Sequence, residues 1–204
     1  KVAGSFRSED KLEELKKRYP DNFTPIAMDV SDYENVRKAY ELIKRDFQVE
    51  TLINNAGVTS FKNAVDNSID EIDEIVKVNM LGGIYTIKAV LDDMIASGEG
   101  NIFNISSVAA KRILTGSTAY AASKLGLAYY SQVLREELRE NNIRVVNFYP
   151  GATETPIWPD KVIKKHRERM MNPEDIAEFV FNVYKIDSNL VTEEIVMRPK
   201  TGDL

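Results

Sequence analysis

No cysteine occurs among the 204 residues, so neither a disulfide nor thiol chemistry is available to this chain. That absence fits an intracellular protein, and a cytoplasmic location is expected. Histidine is almost as scarce. The single one, His166, stands in the charged run Lys161–Arg169, where a solvated helix position is its expected place. No His/carboxylate spacing suggests a metal site, so histidine-based catalysis and a bound metal are set aside as themes. There is also no apolar run of the ~18 residues that a membrane-spanning helix needs, and no signal-peptide pattern. Charge of one sign is missing too: 27 Lys and Arg face 32 Asp and Glu, for a net charge of −5. With no segment concentrating Lys and Arg on one face, neither nucleic acid nor an anionic membrane is expected as the main partner. What is present is a 43% hydrophobic chain, long enough to bury a core, which reads as a single domain over residues 1–204.

Apolar runs and helical periods alternate along it. Val2–Phe6 reads as a strand, followed by a helix with Leu12 and Leu15 inward that ends before Pro20. Thr24–Val30 is a second strand, after which Ser31 is expected to cap a helix from about Asp32 to Phe47, with Val36, Tyr40 and Ile43 inward. Glu50–Ile53 is a third strand, leading into Asn54-Asn55-Ala56-Gly57. A long helical stretch from about Ile69 to Ala96 is expected to be interrupted at Gly82-Gly83. Asn101–Ile105 and Arg144–Phe148 are further strands, separated by the helical run that opens at Tyr120. A charged helix, a helix begun by Asn172-Pro173-Glu174-Asp175 and a last strand Glu194–Met197 complete the order. Strands that are apolar throughout, alternating with helices, indicate an α/β fold with a doubly wound parallel sheet covered on both faces.

In such sheets ligands collect beyond the carboxyl ends of the strands. The residues that follow the strands are Arg7-Ser8, Asp29-Val30, Asn54-Asn55-Ala56-Gly57, Ser106-Ser107 and Pro150-Gly151, all polar or small. Tyr120 and Lys124, four apart on a helix, share one face, so a phenol and an ammonium stand side by side. A phenol titrates near pH ~10, and a neighbouring cation favours its phenolate, which suits proton transfer to or from an alcohol or carbonyl. The spacing alone is also a common packing pattern. Its coincidence with the loops at one sheet edge gives it weight.

These motifs together resemble the short-chain dehydrogenase/reductase family, nicotinamide-dependent enzymes on a Rossmann-like fold, over Arg7 to Thr155 and with a compatible tail. Asp29-Val30 resembles the pair at the adenine ring, and Asn55, Ala56 and Gly57 the segment supporting the cofactor. Asn79 matches the family's active-site asparagine, which holds a water in a proton relay. Ser107, thirteen residues before Tyr120, matches the serine in preference to Ser106, and Tyr120 and Lys124 match the acid/base and its partner. Pro150, Gly151 and Thr155 resemble the segment closing on the nicotinamide. The resemblance implies that Ser107 binds the substrate oxygen, Tyr120 transfers its proton, and Lys124 lowers the tyrosine's pKa and holds the nicotinamide ribose. Arg7 and Ser8 stand where an arginine accommodates a 2′-phosphate, so NADP(H) is expected in preference to NAD(H).

The implied activity interconverts a small-molecule carbonyl and its secondary alcohol, as a general carbonyl or hydroxy-acid oxidoreductase. A 3-oxoacyl-[acyl-carrier-protein] reductase is the alternative, and a non-enzymatic NADP(H)-binding protein the alternative of another class. Specificity is expected from Ala152–Lys165, with Ile157 and Trp158 as apolar contacts, although Trp158 reads equally as a core or interface aromatic. A homodimer or homotetramer is implied, assembled through helices at about 69–96 and 117–140. One departure is large: the family's first strand and glycine-rich phosphate turn have no counterpart in the sequence. By the family strand order that first strand lies between the strands ending at Phe6 and Ile53, so the sheet is expected to be split there and the chain to continue upstream.

Overall fold

The computed structural model describes residues 1–7, 9–186 and 190–204. Six strands and seven α-helices alternate in it: β1 (Val2–Phe6), α1 (Glu9–Arg18), β2 (Phe23–Ala27), α2 (Tyr33–Ile43), β3 (Thr51–Asn54), α3 (Ile69–Val76), α4 (Gly82–Ser97), β4 (Gly100–Ile105), α5 (Thr118–Glu137), β5 (Ile143–Pro150), α6 (Asp160–His166), α7 (Pro173–Tyr184) and β6 (Glu194–Met197). Every pairing is parallel. The ladders form two sets, β1-β2 and β3-β4-β5-β6, with none between β1 and β3. The interruption falls where the family order puts its first strand. As expected of such a split, apolar residues on either side of it are exposed: Val2 at 61% and Ile53 at 52%.

The four-stranded sheet is covered on both faces. Ile102 and Val145 pack under Ile87, Val90 and Met94 of α4 and Leu127 and Leu134 of α5. On the other face Phe103, Val146 and Phe148 pack against Val180 and Val183 of α7. Period-two alternation within each strand decides which side chain goes to which layer.

Two expectations need correction. Asp32, not Ser31, caps α2: its carboxylate accepts from the Glu34 and Asn35 amides. Ser31 is instead committed to Asp29, to which both its amide and hydroxyl donate, at 2.9 and 2.7 Å. The irregularity in the long helical stretch is not at the glycines either. It is a π-helical turn at Lys77–Leu81, and Gly82 and Gly83 begin α4. A Cβ on Gly82 would lie 2.8 Å from Val30, and one on Gly83 would lie 2.7 Å from Leu127. The pair therefore serves close approach of α4 to the Asp29-Val30 loop and to α5, and breaks nothing.

Candidate active site

The carboxyl ends of β3, β4 and β5 are brought to a common level by a polar row. Asn54, Asn104 and Asn147 are register partners on adjacent strands, and the latter two are fully buried. Asn54 Nδ2 donates to Asn104 Oδ1 at 2.9 Å, and Asn104 Nδ2 donates to Asn147 Oδ1 at 3.2 Å. The row reaches the covering helices as well: Thr86 of α4 donates to Asn54 Oδ1, Asn104 donates to Ser131 of α5, and Asn147 donates to the Ala128 carbonyl. A one-residue slip would bury each amide without partners, so the row pins register and fixes α4 and α5 on the sheet. Those two helices and their flanks carry the site.

Tyr120 and Lys124 lie in the first turns of α5. Lys124 is 4% exposed, and its Nζ donates to the Ile105 carbonyl at 2.9 Å. Burial lowers its pKa to about 8. An ammonium has three N–H groups, so two remain for other partners. Its Nζ lies over the Tyr120 ring, 6.0 Å from the centroid. Burial pushes the Tyr120 phenol above its ordinary range, and a hydrogen bond with Ser107 pulls it back.

The two serines after β4 separate cleanly. Ser106 is buried and its hydroxyl donates to the Lys124 carbonyl at 3.2 Å, a packing role. Ser107 caps a short 3₁₀ turn by accepting from the Ala109 amide, stays half-buried, and meets Tyr120. Asn79 sits in the π-helical turn and is 1% exposed. Its Oδ1 accepts from the Val58 amide at 2.8 Å, while its Nδ2 donates to the Val58 carbonyl and to Ser123 Oγ. The side chain is thereby committed to holding the loop after Gly57. A Cβ on Gly57 would lie 3.3 Å from Lys124 Nζ and 3.5 Å from Asn79 Oδ1, so glycine lets that loop close on both. Asn55 and Ala56, just before it, are exposed.

Away from this centre the edge continues to Arg7. With Ser31, Asp70, Asp73, Glu74, Lys77 and Val78 it lines a cavity of about 350 Å³. Its guanidinium is 3.9 Å from Glu74. Ser8 lies outside the described residues. Asp29 is held below the usual carboxylate range, first by the Ser31 hydroxyl and amide and also by Arg7. Ser31 engages only its Oδ1. On the far side Gly151 donates to the Met197 carbonyl at 2.8 Å, while Thr155 accepts from the Trp158 amide across a turn. The residues present thus fit the two ends of a dinucleotide: spare donors on Lys124 beside the glycine loop, and the Arg7 cation at the cavity, within electrostatic reach of Asp29. Sequence reasoning missed Phe61, Ser123 and the roles of Asn104 and Asn147. Phe61 stands in a loop with no motif, and a polar residue inside a strand carries no sign of what it faces.

Comparison with known proteins gives this arrangement its relations. A family model described as short chain dehydrogenase matches residues 1–166. A sepiapterin reductase from Chlorobaculum tepidum is 35% identical over 180 residues, covering 88% of this chain and 73% of its own. An NADP-dependent 3-hydroxy acid dehydrogenase from Schizosaccharomyces pombe is 28% identical, over 94% of this chain and 78% of its own. Among solved structures, an alcohol dehydrogenase from the archaeon Thermococcus sibiricus complexed with 5-hydroxy-NADP superposes with a TM-score of 0.84 at 26% identity, over 97% of this chain and 85% of that one. The chain belongs to the short-chain dehydrogenase family, oxidoreductases that act on CH–OH and C=O groups with NAD(P).

Proposed function

We propose that this single domain reduces a small-molecule carbonyl compound to its secondary alcohol and runs the reverse oxidation, with NADP(H) preferred. The observation that carries the reading is the meeting of Ser107, Tyr120 and the buried Lys124 at one sheet edge. Ser107 donates to the substrate oxygen and fixes it beside the phenol. Tyr120 gives its proton to that oxygen in reduction and takes it back in oxidation. Lys124, with two N–H groups to spare, holds the nicotinamide ribose and stabilises the phenolate left by proton transfer. Asn79 holds Val58, and so the loop of Asn55, Ala56 and Gly57, against Lys124. Because its side chain is fully engaged, its part in a proton relay belongs to the main chain of the π-helical turn. Pro150, Gly151 and Thr155 flank the nicotinamide, and Asp29 and Val30 the adenine. The bound nicotinamide supplies or accepts the hydride, while the protein contributes placement and electrostatics.

Arg7 supports the 2′-phosphate, and the NADP named with two of the relatives agrees with that preference. Assembly into a homodimer or homotetramer is supported by an uncovered stripe on α5, where Leu125, Tyr129 and Val133 are exposed at 52%, 66% and 47%. The test of the whole reading is Tyr120→Phe. It is expected to abolish carbonyl reduction while the Kd for NADPH stays within about threefold, with NADPH bound more tightly than NADH. Near-normal turnover in this variant would overturn the reading.

A further inference from the structure

Phe61 has a backbone φ of 46°, in the left-handed region that side chains other than glycine and asparagine seldom adopt. Such a conformation persists only where its surroundings over-determine it. Here they do. Val58 is held at both amide and carbonyl by Asn79, and the Phe61 amide donates to Thr59 Oγ1 at 3.4 Å. Asn67 accepts from Ser60 Oγ and donates to the Lys62 carbonyl. Lys62 in turn pairs with Glu71, whose other oxygen accepts from the Ser68 amide in the capping box of α3. The strained backbone aims the Phe61 ring across the site. It stacks on Trp158 with centroids 4.5 Å apart and planes within 13°, and it tilts against Tyr120 at 6.3 Å. Trp158 comes from the loop after β5, so two separate loops build one aromatic wall beside the phenol.

Resting on the proposed carbonyl chemistry, we infer that Phe61 and Trp158 are the specificity-determining residues, selecting neutral ketones and alcohols that carry a flat apolar ring beside the reacting carbon over charged oxo acids. A substrate oxygen held by Ser107 and Tyr120 leaves the neighbouring group of the substrate against this wall. Aromatic faces reward a flat apolar group. Two cations in this region are already paired: Lys62 with Glu71, and Arg167, beyond α6, with Glu154 at 2.5 Å. A carboxylate set against the wall would place its charge beside apolar rings.

Two measurements test this. The first compares kcat/KM for acetophenone and for acetoacetate with NADPH, in the wild-type chain and in Phe61→Gly and Trp158→Leu. Glycine accepts the left-handed backbone without strain, so Phe61→Gly keeps the fold while removing the ring. Wild type is expected to favour acetophenone, and each variant to lose about tenfold of that preference, chiefly through KM. Retention of the full preference by both variants, or a wild-type preference for acetoacetate, would overturn the inference. The second needs no turnover. Trp158 is the only tryptophan in the chain, so its emission reports the wall directly. Benzamide, a neutral and unreducible probe, is expected to perturb that emission saturably in wild type and not in Phe61→Gly, with acetate without effect. No response to benzamide, or an equal one in both proteins, counts against the wall. A Tyr120→Phe protein that is inactive yet still responds to benzamide separates the two readings, and an active one sinks the chemistry alone.

Discussion

Lys124 is a cation taken out of water, and that has consequences for both stability and rate. Its pKa in the folded chain, about 8, lies below the ordinary lysine value of 10.5 because burial disfavours the charged form. Between those two pH values the unfolded chain holds a proton that the folded chain has shed. Stability from this group therefore rises with pH across that window, and its penalty is present in full below about pH 8. Lys124→Met removes the penalty along with the hydrogen bond to Ile105. The variant is expected to be more stable than wild type at pH 7 by about 1–3 kcal/mol, with the gain fading towards pH 10, and to be inactive. Urea melts of both proteins at the two pH values check the stability claim, and a constant difference would refute it. For wild type, the rate of carbonyl reduction should fall as pH rises through about 8, since the ammonium that steadies the phenolate is lost there. Tyr120 remains protonated in that range because burial holds its pKa up.

At the scale of elements, the asparagine row joins chemistry to scaffold. Asn104 is its middle rung, bonded to Asn54, Asn147 and Ser131. Asn104→Ala takes one partner each from Asn54, Asn147 and Ser131 in the middle of the row, with an expected cost of about 2–4 kcal/mol measured by denaturant unfolding. A loss below about 0.5 kcal/mol would show that the row is not what holds these strands level. The row also marks the boundary of what the sequence discloses. The alternation of apolar strands and helices was legible because burial on two faces demands it, and the Tyr120 and Lys124 pairing was legible because helix geometry is local, whereas Ser107 was read only through the family resemblance. Asn104 and Asn147 were read only as strand residues, since their meaning lies across strands far apart in sequence. Gly82 and Gly83 looked like a break because glycine is poor in helices, whereas only the packed neighbours Val30 and Leu127 reveal close approach. The left-handed Phe61 had no local signal, being neither glycine nor asparagine.

For the molecule as a whole, the uncovered stripe on α5 gives the expectation that copies associate. Tyr129→Glu, at the centre of that stripe, should shift the light-scattering mass toward monomer without changing Tyr120 or Lys124, and an unaltered mass would place the interface elsewhere. The divided ladder has a separate outcome. The β1-β2 pair and the four-stranded sheet share no strand-to-strand hydrogen bond, so nothing in the sheet couples their melting. Trp158 belongs to the loop after β5 and thus witnesses the larger unit alone, whereas far-ultraviolet circular dichroism sums both. Unfolding followed by these two signals should give midpoints that do not coincide, the dichroism beginning to fall first. Superimposable curves would mean that helix packing alone makes the chain one cooperative unit. If the curves separate, a single melting temperature read from fluorescence will overstate the stability of the end of the molecule that carries Arg7, where the 2′-phosphate contact is proposed.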